Sequence, residues 1–519
     1  MENRKYPLTT SSFERIRTEN YLYIDKTSYL HSLTEEGVYY FLARPRRFGK
    51  SLLISTLEAY FRGRKDLFTG LDIDRLQPGE WENYPVIHLD LSGDAYTDKE
   101  SLLSVLASMM MKWERELGIT DVKLTVAQRF QDIISTLASN SGKRVVVLID
   151  EYDSPLSAAI DNPELLQLYC DQLHGFYSVL KAMDNSIQFC MLTGVTKFGK
   201  VSVFSGLNNM HDITFEDKYA GICGITEYEL HTYLHDGVKH LADSIGSTVD
   251  EAFNKLKFYY DGYHFSESLL DVYNPYSVLY SLSQSKLKDY WCASGMPTLL
   301  SKSLQKMDYD LEKLNGTIVS SNMLDNLSVF QTDPVSLFYQ TGYLTIKDYD
   351  QTTELYTLGY PNKEVERGVM NDILKVYTLD STDVRVTITL MKESLKNGNP
   401  EKFISLLKSF FAGIPSKLRR HVGEYENYYH TIFYCIANLI GLDINVEYNT
   451  NAGYIDILIR TTGYIYVIEL KINGTAADAI YQINQNHYTT QFETESRKIF
   501  KVGIGFSKES HNIDSFLII

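Results

Sequence analysis

Four short apolar runs dominate the first two hundred positions: Tyr39–Ala43, Pro85–Leu91, Arg144–Ile149 and Phe189–Val195. The third is an unbroken β-branched run, as in strands buried on both faces of a parallel sheet. Helical periodicity lies between them, through Leu52, Leu53, Leu57 and Tyr60-Phe61 and again over roughly 98–139, so the pattern predicts an α/β order. From about 225 the chain turns helical and aromatic, with segments around 226–243, 249–260 and 275–285 punctuated by Asp261-Gly262 and Asn274-Pro275. This predicts a helical lid. Residues 336–400 mix a short strand, Gly342–Ile346, with helical sequence and read as a connection. Near the C-terminus, Tyr454–Arg460 and Tyr464–Lys471 alternate around Thr462-Gly463 and predict a β-hairpin.

The hairpin register has a chemical consequence. A two-residue turn at 462–463 puts Asp456 directly opposite Glu469, with Cβ atoms about 4.5–5.5 Å apart, and Lys471 shares that face. Opposed like charges weaken a sheet unless a cation lies between them, and a hard divalent ion, Mg2+ before Mn2+, suits two carboxylates. A solvated, charged edge hairpin would have the same pattern, so this stretch alone leaves both readings open.

The first apolar run leads into Arg44-Pro45-Arg46-Arg47-Phe48-Gly49-Lys50-Ser51 and then a helix. Strand, loop ending in Gly-Lys-Ser, and helix is the order of a phosphate-binding loop, in which backbone N–H groups surround phosphates, the lysine reaches β/γ oxygens and Ser51 ligates Mg2+. Arg44 stands where that motif usually has glycine, so the match is partial. The third run ends in Asp150-Glu151, an acidic pair at the strand end where an open α/β sheet binds its ligand. Asp150 would hold Mg2+ and Glu151 would polarise the attacking water. Thr193 and Lys197, at the end of the fourth run, are weaker candidates for sensing or reaching phosphate.

Composition and charge narrow the classes. No run of about 18 apolar residues occurs and the N-terminus lacks an apolar core, so a cytoplasmic protein without membrane spans is expected. The five cysteines are scattered without C-x-x-C spacing, which suggests neither zinc nor disulfides. His231 and His235 have the i, i+4 spacing of a metal pair but no third ligand, and are not assigned. A net charge of −16 argues against indiscriminate coating of nucleic acid. Residues 401–519 carry 11 Lys and Arg against 12 Asp and Glu, net −1, which leaves −15 for residues 1–400. The C-terminal part is therefore neutral enough to approach a phosphate backbone.

Tyr23-Ile24-Asp25-Lys26-Thr27, the Arg44–Ser51 block, Leu148-Ile149-Asp150-Glu151-Tyr152-Asp153, Phe204-Ser205-Gly206-Leu207-Asn208-Asn209 and Tyr260-Asp261-Gly262-Tyr263 together resemble the bacterial AAA-ATPase-like family. The C-terminal segment resembles the PD-(D/E)XK nuclease-superfamily domain commonly fused to it. Arginine at position 44 is characteristic of that family, so the departure from the usual loop motif no longer counts against phosphate binding. The resemblance implies an α/β protein with a P-loop NTPase parallel-sheet core, a helical lid and a small αβββαβ restriction-endonuclease-like domain. It divides the chain into an ATPase domain (1–225), lid (226–335), connecting segment (336–400) and nuclease-like domain (401–519). ATP is the implied cofactor, bound by Arg46, Arg47, Phe48, Gly49, Lys50, Ser51, Asp150 and Thr193, with Glu151 catalytic. For the nuclease half it implies a first acid at Glu426, on a helix running to Leu439, with Asp456, Glu469 and Lys471 as the central elements and Gln482 on the following helix. A closing strand, Lys498–Phe506, would complete that core, and Tyr454 stands where relatives often have arginine. The implied partners are nucleic acid, DNA before RNA, and a second copy of the chain. The leading expectation is an NTP-regulated, metal-dependent nuclease. The alternatives are a non-cleaving ATP-dependent switch whose nuclease-like fold only binds nucleic acid or a partner, and an ATPase carrying that fold as scaffold.

Overall fold

The computed structural model describes residues 4–120, 125–197, 203, 209–294, 314–325, 334–378, 384–414, 425–507, 509–510 and 512–519, with the backbone alone at 294, 325, 376–378 and 425–431. Described residues up to Val365 form one compact unit, and those from Glu366 onward form a second. The motif residues Phe204–Asn208 lie outside the described residues.

In the first unit, strands β1 (Tyr39–Ala43), β2 (Val86–Asp90), β3 (Val145–Asp150), β4 (Ile187–Gly194) and β5 (His211–Asp212) form one sheet in the order β2-β3-β4-β1-β5. Every pairing is parallel. The four longer strands coincide with the four apolar runs, and β1 and β3 are buried throughout because helices cover both faces. The periodic segment 98–139 is two helices, Ser101–Leu117 and Val126–Ser141. Gly118 ends the first in the left-handed region (φ 68°), and Thr125 opens the second in a capping box with Gln128.

Helix α1 (Lys50–Phe61) follows β1 directly. The lid segments match the periodicity closely: α2 (Glu227–Ile245), α3 (Val249–Tyr260) and α4 (Pro275–Gln284) start at sequence-encoded caps. Thr226 with Glu229 and Thr248 with Glu251 form capping boxes, and Asn274 caps α4 with Pro275 at its first position. A two-stranded ribbon, β6 (Ile225–Thr226) with β7 (Val272–Tyr273), brackets α2 and α3. A three-stranded sheet follows, β8 (Thr317–Ser320), β9 (Thr345–Asp350) and β10 (Leu355–Gly359), in the order β8-β10-β9. The short strand read at 342–346 is thus displaced: Gly342 turns in the left-handed region (φ 88°) and pairing begins at Thr345. Helix α5 (Lys363–Thr378) comes next, its first three residues belonging to the first unit.

The second unit holds helices Val384–Lys396 and Pro400–Ala412, then α6 (Tyr425–Ile440), β11 (Asp443–Thr450), β12 (Gly453–Arg460), β13 (Tyr464–Ile472), α7 (Ala476–Gln485), β14 (Lys498–Ser507) and β15 (Asn512–Ile518). Its sheet order is β11-β12-β13-β14-β15, with β13 and β14 parallel and the other pairs antiparallel. Strands β11 and β15 are not among those singled out from the sequence. Ile480 and Ile483 of α7 pack on Leu458, Ile465 and Val467 of the hairpin. Gly503 of β14 admits this close approach, since a Cβ there would stand 2.4 Å from the Ala476 carbonyl oxygen.

Candidate functional sites

Because β4 lies between β1 and β3, the C-terminal ends of three parallel strands sit side by side, and each delivers one candidate group. The loop after β1 turns through left-handed Arg47 (φ 66°) and Gly49 (φ 101°) before α1 begins. Lys50 is only 4% exposed, and its Nζ folds back to donate to the carbonyls of Arg44 (3.0 Å) and Pro45 (3.2 Å). A buried ammonium is thus ringed by loop backbone, with half-buried Ser51 beside it in the first turn of α1.

At the end of β3, Asp150 is 3% exposed and accepts a hydrogen bond from Thr193 Oγ1 of β4. Glu151 leaves the strand in the left-handed region (φ 51°), and Ser154 Oγ donates to its Oε2 at 3.2 Å. Burial raises the Glu151 carboxyl above its ordinary pKa, with nearby Lys50 pulling it back. A half-buried acid with elevated proton affinity near a lysine suits a water-orienting role. Asp153, given no role from the sequence, fixes the exit of β4 by accepting from the N–H groups of Val195 (3.1 Å) and Thr196 (2.7 Å).

Other loop side chains are engaged elsewhere or exposed. Phe48 is buried against Tyr263 and Phe265, with ring centroids 4.8 and 5.4 Å apart, so only its backbone can face phosphate. Arg46 and Arg47 are exposed, and the Arg47 guanidinium lies 4.1 Å over the Tyr276 ring. Arg44 is a strut beneath the loop: buried, it donates to the carbonyls of Ala43 (2.9 Å), Thr214 (2.8 Å) and Tyr219 (3.1 Å). The expectation that Lys197 reaches phosphate fails, because its buried Nζ is held by Asp212 at 2.8 Å and lies over Phe215. His231 stacks on Phe253 with ring centroids 4.0 Å apart.

A pocket enclosing about 650 Å³, part of it open to solvent, lies beside Gly49. Leu22 and Ile24, Leu53 of α1, and Ile225 and Leu279 of the lid line it. Lys26 stands at its wall, pinned by Glu229 of α2 (2.6 Å) and the Gly221 carbonyl (2.7 Å). The sequence signal was present in Tyr23–Thr27, a block recognised as a motif without a role.

The second constellation lies in the C-terminal sheet. The hairpin has the predicted register: Ile457 faces Ile468 and Arg460 faces Ile465. The ladder stops at Ile457, and Asp456 Oδ2 accepts the N–H of Leu470 at 2.6 Å. A side-chain hydrogen bond thus takes over where the strands part, and Asp456 is close enough to Glu469 to act on its ionisation. Glu469 is 1% exposed; burial, with Asp456 next in effect, pushes its pKa up to about 7, while Lys471 opposes the shift. Its Oε1 takes the Gln482 amide and lies 3.4 Å from Lys471 Nζ, and Lys471 also donates to Gln482 Oε1. Among the described residues its Oε2 is buried without a hydrogen-bond partner. Asp456, Glu469, Lys471 and Gln482 are therefore together. Glu426 is in the first turn of α6, and its side chain lies outside the described residues.

The family model described as "Predicted AAA-ATPase" matches residues 7–204, and the PD-(D/E)XK nuclease superfamily model matches residues 424–516. The "Uncharacterized protein in vnfD 5'region" of Azotobacter chroococcum mcd 1 is 33% identical over 528 residues, spanning 100% of this chain and 99% of that protein. The chain belongs to the AAA-ATPase-like family, with a C-terminal PD-(D/E)XK nuclease-superfamily domain. Among solved structures, the Aeropyrum pernix ORC2 protein in ADPNP-ADP complexes is similar at a TM-score of 0.23 and 10% identity, covering 72% of this chain and 97% of that one.

Within this AAA-ATPase-like chain the C-terminal donors fit a hard divalent cation. A buried Glu469 carboxylate oxygen without a partner among the described residues, beside a second carboxylate, makes an all-oxygen set of the kind a hard divalent cation takes. Among the described residues no three His, Cys, Asp or Glu side chains cluster tightly enough to cage a metal by themselves, and water and substrate oxygens commonly fill the remaining positions around Mg2+. No helix among the described residues is long and apolar enough to cross a membrane.

Proposed function

We propose that the chain binds and hydrolyses ATP and that this ATPase controls a Mg2+-dependent phosphodiesterase acting on nucleic acid, with DNA the first substrate to test. The observation that carries the nuclease half is the buried, unpartnered Glu469 Oε2 next to Asp456, with Lys471 and Gln482 bonded to the other oxygen of the same carboxylate. Mere binding of a polyanion needs no buried acid pair, and two carboxylates without a cation would repel it. Asp456 and Glu469 would hold the divalent ion, and Glu426 is proposed to contribute from α6. Such an ion, when bound, supplies a water of lowered pKa and positive charge at the scissile phosphate. Gln482 holds Lys471 and Glu469 in a fixed mutual orientation, and Lys471 orients water or neutralises developing charge on phosphate.

At the nucleotide site, Lys50 and the N–H groups of residues 46–51 would hold the phosphates, and Ser51 with Asp150 would hold Mg2+. Thr193, hydrogen-bonded to Asp150, couples that ligand to the neighbouring strand, while Glu151 orients water. The apolar pocket beside Gly49 has the lining for a purine base. Manganese or magnesium added to the pure protein with a panel of single- and double-stranded DNA and RNA, with and without ATP, is expected to give cleavage. Asp456→Ala should abolish the products. Equal inertness of wild type and variant over the whole panel would sink the nuclease reading and leave a switch that binds without cutting.

A further inference from the structure

The block Tyr260-Asp261-Gly262-Tyr263 has no place in either site, yet it frames a contact that reaches the phosphate loop. Trp291 Nε1 donates to the Arg46 carbonyl at 3.0 Å, and Gly224 N–H donates to the Phe48 carbonyl at 3.0 Å. In a planar trans peptide the carbonyl of one residue and the N–H of the next point in opposite directions. No cis peptide occurs among the described residues, so the donor that holds the Arg46 carbonyl turns the Arg47 N–H away from itself, and the donor that holds the Phe48 carbonyl does the same for the Gly49 N–H. Those N–H groups belong to the loop that would wrap the phosphates.

Trp291 is itself held. Its backbone N–H donates to Glu364 Oε1 at 2.5 Å, Ser277 Oγ donates to Glu364 Oε2 at 2.6 Å, and its ring packs 5.0 Å from Tyr343. The Tyr260 hydroxyl donates to the Lys288 carbonyl (2.8 Å) and accepts from the Lys288 N–H (2.9 Å), which fixes the segment leading to Trp291. Asn362 donates to the Asp261 carbonyl (2.8 Å) and accepts from Val365 N–H, which fixes the start of α5, where Glu364 sits. Left-handed Gly262 (φ 84°) lets the two segments meet, because a Cβ there would stand 2.3 Å from the Pro361 carbonyl oxygen. Tyr263 closes the frame against Phe48.

We propose that Trp291, held by Glu364 and the Tyr260–Tyr263 turn, is a positioning residue for phosphate binding: its indole N–H orients the Arg46–Arg47 peptide so that the loop presents its donors to a nucleoside di- or triphosphate. The proposal rests on the nucleotide-binding reading of that loop. It goes further in naming a residue more than two hundred positions downstream that sets phosphate affinity without touching phosphate.

Displacement of a fluorescent ATP analogue by ATP, ADP and adenosine tests it on the full chain. Trp291→Phe keeps the aromatic body and removes the donor, and should weaken ATP and ADP roughly tenfold, the range of one hydrogen bond, with adenosine unchanged. Glu364→Gln, which retains an acceptor for the Trp291 N–H, should stay near wild type for all three. Should Trp291→Phe fold poorly, Glu364→Ala keeps the indole, frees its backbone and carries the same phosphate-selective expectation. Equal weakening of adenosine and ATP would mean that Trp291 only supports the lid, and unchanged ATP affinity would mean that the loop orients itself; either overturns the proposal. Failure of the wild type to displace the analogue with ATP would instead remove the nucleotide reading, and this inference with it.

Discussion

Asp261 shows how far burial can work against a side chain that is never moved. It is 2% exposed, and its nearest positive charge, Lys257 Nζ at 3.9 Å, is shared with Glu227 and Asp271. Desolvation, with Asp271 adding to it, lifts its pKa from 3.8 to about 7. A carboxyl raised in the folded state favours folding while protonated, and that advantage is lost as pH rises through the folded value. The difference in stability between Asp261→Asn and wild type should therefore grow in favour of the variant from about pH 4 to pH 7, approaching about 4 kcal/mol. Urea denaturation of both proteins across that range measures it, and a difference independent of pH would show that the carboxyl stays ionised. Arg44 is the opposite case, a buried charge provided with three carbonyls, which explains how an arginine occupies a loop position where glycine is usual.

Among elements, strand order and one helix approach decide the sites. Four parallel strands were legible as unbroken apolar runs, but the insertion of β4 between β1 and β3 was not, and that insertion carries Thr193 to Asp150. The hairpin register was legible because side-chain alternation and turn length together allow a single pairing. Its parting at Asp456 was not legible, since it depends on a side chain replacing a backbone acceptor. Helix α7 delivers Gln482 to Glu469 only because Gly503 lets it approach the sheet. Gly503→Val should push α7 away, lowering stability by about 1–3 kcal/mol in chemical denaturation and weakening Mn2+ binding in calorimetry. Unaltered Mn2+ affinity would show that Gln482 has no part in arranging the carboxylates.

Across the whole molecule, an AAA-ATPase-like region (7–204) and a PD-(D/E)XK nuclease-superfamily domain (424–516) fall in two compact units, and the acid excess is confined to residues 1–400. If the ATPase governs the nuclease, the two should separate under mutation. Lys50→Ala removes the ammonium ringed by loop carbonyls and should reduce ATP affinity roughly tenfold to a hundredfold, abolishing any ATP dependence of cleavage. Asp456-dependent binding of Mn2+ should be untouched. Loss of Mn2+ binding in the same variant would show that the two chemistries cannot be separated in this way.

By itself the sequence determined the strands of the parallel sheet, the lid helices with their caps, the strand–loop–helix order around Gly49-Lys50-Ser51 and the register of the C-terminal hairpin, because each follows from periodicity or local steric rules acting over a few residues. Tertiary structure alone decided that Lys197 is sequestered by Asp212, that Phe48 faces the lid core, that the acid pair leaves one carboxylate oxygen without a partner, and that Trp291 reaches Arg46. Those facts join residues far apart in the chain, and only burial, which sets who is desolvated beside whom, brings such residues together.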